Sequence, residues 1–152
     1  MRRNDPIKAV REIRNLLADG RRNYLAMAHR VNDEKARTLL KEIGNGHDLL
    51  EHELERSTGG LGGTNKATKA TVYGTMERIW LTVRDVVNNT DELTVLADCE
   101  YQERNLMNRY VELLGSMSLD ERIRAILMRQ YGELEENVLR VRSIRAGMEN
   151  LA

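Results

Sequence analysis

The sequence predicts an all-α protein: a four-helix bundle of two antiparallel helix hairpins, joined by a long crossover that contains a short helix. Three observations carry this expectation. Apolar residues recur at alternating three- and four-residue spacing, the period of one helix face, as in Val10, Ile13, Leu17, Gly20, Tyr24, Met27 and Val31. Charged residues make up 32% of the chain and aromatic residues only 4%, which disfavours a β-sandwich. Breaks fall at Asn32-Asp33, at the run from Ser57 to Asn65, at Asn88-Asn89-Thr90 and at Gly115, leaving helix-length stretches between them.

Asp5 caps and Pro6 opens a first helix over about 6–31. Gly20, inside it, costs about 1 kcal/mol relative to Ala and lets a neighbouring helix or side chain approach closely. Asp33 caps a second helix over 33–57, with Ala36, Leu40, Ile43, His47, Leu50 and Leu54 on one face. The short connection makes these two an antiparallel pair, and Gly44 and Gly46 mark a bend. The glycine-rich run STGGLGGTN is a loop and lacks the Gly-Lys-Ser/Thr of a phosphate-binding P-loop. Val72, Met76, Ile79, Trp80, Val83 and Val87 predict the short crossover helix over 67–87. The third long helix, 91–114, carries Leu96, Cys99, Glu103, Leu106, Tyr110 and Leu113. Ser118-Leu119-Asp120-Glu121 reads as a capping box with Ser118 as the cap, opening a fourth long helix over 119–150. The whole of 1–152 is expected to form one domain.

Lys+Arg and Asp+Glu number 24 each, so the overall charge calls for neither nucleic acid nor a membrane surface as partner. Locally the balance is uneven. Residues 1–30 hold eight basic and three acidic residues, and 91–115 hold two basic and six acidic, which predicts that the first and third helices pack side by side. A single cysteine, no apolar run near the ~20 residues of a membrane span, and no secretory signal give the expectation of a cytoplasmic protein without disulfides.

Polar residues on the apolar stripes are the candidate chemistry. Glu103 falls where the third helix points inward, and a buried carboxylate must be paired, protonated or metal-bound. It either meets an arginine or tyrosine across the bundle or belongs to a carboxylate metal site. His47 is either a core histidine with a hydrogen-bonded ring or a ligand, and Glu51 shares its face. Glu100 can share the face of Glu103. Glu133 and Glu136 can chelate, or form a solvated acidic face opposite Arg140, Arg142 and Arg145. Iron or manganese is the metal that carboxylates and imidazole would suit. A dinuclear site in such a bundle takes a Glu from each of two helices and Glu-x-x-His from the other two. No Glu-x-x-His occurs in this chain.

Asp19-Gly20 with Tyr24, Asp98-Cys99-Glu100-x-x-Glu103 with Tyr110, and Arg129-Gln130-Tyr131 continuing to Val141-Arg142, together with the Trp80 segment, resemble a family of small bacterial ferritin-like proteins of unassigned function. The resemblance spans roughly 7–148 and implies a ferritin-like bundle. Where that pattern has a Glu after Asp-Gly, this chain has Arg21 or Arg22. Where it has a fourth-helix His, this chain has Val138 or a neighbour. The resulting expectation is a non-enzymatic member, degenerate at the metal site, that acts as a homodimer or other homo-oligomer or through a protein partner, with Trp80, Val72 and Ile79 as a dimer surface. The alternative is a metal-dependent oxidoreductase or iron-handling protein with Glu103, Glu100, His47, Glu51, Glu133 and Glu136 as candidate ligands.

Overall fold

The computed structural model describes residues 5–58 and 92–151. The expected crossover helix over 67–87, with Trp80, Val72 and Ile79, lies outside the described residues. Among the described residues there are four helices: α1 (Pro6–Ala28), α2 (Glu34–Thr58), α3 (Glu92–Leu114) and α4 (Glu121–Leu151). No strand occurs among the described residues, and no described helix is long and apolar enough to cross a membrane.

Most helix ends follow local chemistry visible in the sequence. Asp5 caps α1, its Oδ1 accepting from the Ile7 N–H at 3.1 Å, with Pro6 at the first helical position. α1 ends at Ala28, earlier than expected, because the His29 and Arg30 N–H groups close a turn on the Ala26 and Met27 carbonyls. Asp33 caps α2 by accepting from Ala36 N–H at 2.9 Å. The Ser57 and Thr58 hydroxyls donate back to the Glu53 and Leu54 carbonyls at 2.7 and 2.9 Å, carrying α2 one residue further than predicted. The start of α4 corrects the sequence reading. Asp120, not Ser118, is the cap: its Oδ1 accepts from the N–H groups of Arg122 at 2.8 Å and Ile123 at 3.3 Å. A carboxylate next to the first turn is the stronger acceptor, and the Ser118 hydroxyl lies 3.3 Å from that of Ser116 instead.

Cross-helix contacts fix the directions. Arg14 meets Glu51, the Gly20 α-carbon faces His47, and Tyr24 lies against Gly44, so α1 and α2 run antiparallel. Tyr110 meets Gln130, Glu103 meets Asn137 and Glu100 meets Arg142, so α3 and α4 do too. α2 and α4 are joined by Arg140 to Glu42, Arg129 to Glu53 and Arg122 to the Ser57 carbonyl. α1 meets α3 where Tyr24 reaches Cys99 and Glu103. Glu92, at the start of α3, accepts from the Asn32 and Asp33 N–H groups, tying it to the α1–α2 turn. Arg124 ties down the α3–α4 turn by donating to the Leu114 and Ser116 carbonyls.

The apolar core is in two clusters. One gathers Met27, Val31, Leu39, Leu40, Ile43, Val95, Leu96 and Val141. The other gathers Ile13, Leu17, Leu50, Leu54, Leu106, Leu127, Leu134 and Val138. The residues around Glu103 lie between them. α2 is continuous through both of its inner glycines. Gly44 serves close packing: a Cβ there would lie 3.2 Å from the Arg21 carbonyl oxygen and from the Tyr24 Cβ, whereas a Cβ at Gly46 would meet nothing within 4 Å. Gly46→Ala should therefore stabilise the protein by about 0.5–1 kcal/mol, the helix-propensity gain. Gly44→Ala should give no such gain, because the α1 backbone must move to admit it. Urea midpoints of the two variants check this, with a greater stability for Gly44→Ala as the contrary result.

Candidate functional site

Glu103 sits on the inner stripe of α3, four residues after Cys99 and three before Leu106, so helical periodicity turns it to the bundle axis. It is 1% exposed. Each of the other three helices supplies a partner. The Tyr24 hydroxyl of α1 donates to Oε1 at 2.8 Å. The Asn137 side-chain amide of α4 donates to Oε2 at 2.8 Å. His47 Nε2 of α2 lies 3.0 Å from the same oxygen. An ionised carboxylate only accepts, so Nε2 carries the hydrogen in this contact. The Tyr24 hydroxyl also lies 3.2 Å from the Cys99 carbonyl oxygen. Its ring stands edge-on to that of His47, with centroids 5.2 Å apart at 83°.

Gly20 makes room for the imidazole. A Cβ at that position would lie 2.5 Å from His47 Nδ1. Nδ1 has no hydrogen-bond partner, so that edge of the ring packs on the bare helix backbone of α1. The close approach expected at Gly20 is thus made by a side chain.

Burial works against ionisation of Glu103, but it is outweighed by the charge of His47 and the hydrogen bonds from His47, Asn137 and Tyr24, which hold the carboxyl below its ordinary range. Burial first, and then the negative charge of Glu103, pushes the Tyr24 hydroxyl and the Cys99 thiol well up. Tyr110 is raised too, chiefly by burial; its hydroxyl donates to Gln130 Oε1 at 2.7 Å. Cys99 is therefore a buried thiol, not a poised nucleophile.

The remaining candidate residues go elsewhere. Glu100 turns toward α4: its Oε2 receives Nε of Arg104, one turn on in α3, at 3.1 Å and Nε of Arg142 of α4 at 2.9 Å, and its Oε1 lies 3.1 Å from Nη1 of Arg145 of α4. Glu51 pairs with the buried Arg14 at 3.0 Å. Glu133 is exposed and pairs with Arg129 one turn earlier, and Glu136 is exposed. Of the six, the structure brings only His47 and Glu103 into contact. Among the described residues one group gathers enough ligand atoms for a cation: Glu51, His52 and Glu55, within 4.8 Å of one another. It is largely exposed, and Arg14 already stands against both carboxylates. His52 is raised from its ordinary value by a contact with the Asp48 carbonyl, then by the charges of Asp48 and Glu51, so it favours a proton.

Arg14 was not foreseen. It follows Ile13 on the inner edge of α1 and is buried with Asn15 and Asp19. Its only sequence signal is a cation beside an apolar stripe, opposite acids one antiparallel helix away. Asn137, on α4, is brought to Glu103 by packing across the bundle.

Removing the acid takes the acceptor from the His47 imidazole and the Asn137 amide and leaves the Tyr24 hydroxyl with the Cys99 carbonyl. Glu103→Ala should cost about 3–5 kcal/mol by chemical denaturation, and a near-neutral result would contradict this account of the site. Gly20→Ala should cost about 1–3 kcal/mol through the clash with His47; an unchanged denaturation midpoint would mean the ring has room to move. pH adds a further check. The folded-state carboxyl lies below its unfolded value of about 4.3. The unfolded chain therefore takes up the proton first as pH falls. Glu103's contribution is full above the unfolded value and is lost as pH drops through the folded one. The wild-type urea midpoint should fall more steeply below pH 5 than that of Glu103→Gln, and parallel profiles would overturn the assignment.

A search of curated proteins finds no match. One family model, a domain of unknown function (DUF2383), matches residues 5–116, which takes in α1, α2 and α3 with Tyr24, His47 and Glu103. On that match the chain belongs to the DUF2383 family.

Proposed function

We propose that this protein is a non-enzymatic, ferritin-like helical bundle, two hairpins joined by a long crossover, which acts through a second copy of itself or a partner protein. In this reading the place where a related bundle would bind metal is filled by a protein network. The carrying observation is the saturation of Glu103. Its oxygens receive a tyrosine hydroxyl, an asparagine amide and an imidazole N–H. These neighbours present hydrogens to the carboxylate, whereas a cation needs lone pairs. The other imidazole nitrogen packs on Gly20, and Glu100, the other buried acid of α3, is held by three arginines. That donor set does not fit an iron or manganese centre at Glu103. Association is supported by large apolar side chains exposed on described helices, among them Leu49, Met128 and Leu139.

A second reading rests on Glu51, His52 and Glu55, whose ligand atoms stand close enough together for a divalent cation. One experiment separates the readings. Protein purified without chelator and analysed for metals should carry no stoichiometric iron or manganese, while sedimentation velocity should find it associated with itself or with a co-purifying protein. Stoichiometric metal lost in Glu103→Gln would overturn the first reading. Metal lost only in a His52→Ala variant would establish the second.

A further inference from the structure

The geometry points to an anion-binding site on the outer α3–α4 face, built from Arg104, Arg142 and Arg145 around Glu100, that takes a phosphate group. In the other cross-helix ion pairs named above, each arginine meets one or two carboxylates. Arg14 stands against Glu51 and Glu55, Arg129 against Glu53 and Glu133, and Arg140 against Glu42. On this face the ratio is inverted, with three guanidinium groups meeting a single carboxylate. The cluster therefore carries an excess of two positive charges held within a few ångströms.

The donor arithmetic agrees. Arg104 and Arg142 reach Glu100 through Nε alone. Their terminal amino groups take no part in that contact, and both side chains are close to half exposed. Glu100 is 8% exposed, so it orders the three arginines from beneath while their outer donors stay in water. A guanidinium with its Nε committed still offers a fork of N–H groups, the geometry that suits phosphate oxygens. A phosphate dianion would neutralise the excess charge and relieve the repulsion among the three cations.

Isothermal titration of the full chain with pyrophosphate, at ionic strength held constant with sodium chloride, tests the site. The expected result is one saturable event, accompanied by a rise in Tm, that is lost in an Arg104→Ala/Arg142→Ala double variant and kept in Arg129→Ala. The single variants Arg104→Ala and Arg142→Ala, at side chains close to half exposed, should each weaken binding by about tenfold, which keeps the test decisive if the double variant folds poorly. Parallel flotation with phosphatidic acid vesicles identifies the source. Binding to pyrophosphate supports a soluble ligand, and binding to vesicles alone, lost in the double variant, supports a headgroup carrying the same chemistry. A response that follows ionic strength only, or that survives loss of both arginines, overturns the site.

Discussion

The carboxylate of Glu103 is the constraint around which the bundle is organised. An ionised acid 1% exposed is costly in an apolar interior unless its oxygens are satisfied. Here they are satisfied only when four helices are in register, because Tyr24, His47 and Asn137 come one each from α1, α2 and α4. An apolar contact can slip along a helix at modest cost. A shift of one residue here would strand an acid and three donors. The polar layer thus divides the core into two apolar clusters and fixes how they stack.

The glycines follow from the same layer. His47 reaches Glu103 because Gly20 leaves its ring room, and α1 lies close to α2 because Gly44 admits the Arg21 carbonyl and Tyr24. Sequence, packing and electrostatics are linked through two missing side chains. Their helix-propensity penalty is offset by contacts that a Cβ would block.

Much of this was legible in the residues themselves. Stripe spacing placed Glu103, His47, Tyr24 and Tyr110 inside, and all four are buried. Cap chemistry gave Asp5 and Asp33 their roles. The failures share a cause. Glu100 was grouped with Glu103 from their i,i+3 spacing, but three residues turn a helix through about 300°, and the remaining offset points Glu100 toward the arginines of α4. Ser118 lost the cap to Asp120, a choice between neighbouring acceptors that spacing does not resolve. The first and third helices, opposite in charge, do pack side by side, with Tyr24 against Cys99 and Glu103 at the contact. Arg14 pairs with α2, and the acids of α3 are met by α1, α2 and α4 together. Which side chains meet across a bundle depends on rotation about each axis, and one helix's periodicity fixes that only to within a residue or so. Membership of the DUF2383 family covers the three helices that hold Tyr24, His47 and Glu103, while Asn137 lies beyond the matched residues.

The most direct measurement is the titration of the Glu103 side-chain carboxyl by carbon-13 NMR in the folded protein. A carboxylate held by a histidine, a tyrosine and an asparagine should keep its charge to a midpoint below the roughly 4.3 of a free glutamate. A midpoint at or above that value would mean that burial prevails over the three donors, and that the centre of the bundle is not the ionised network described.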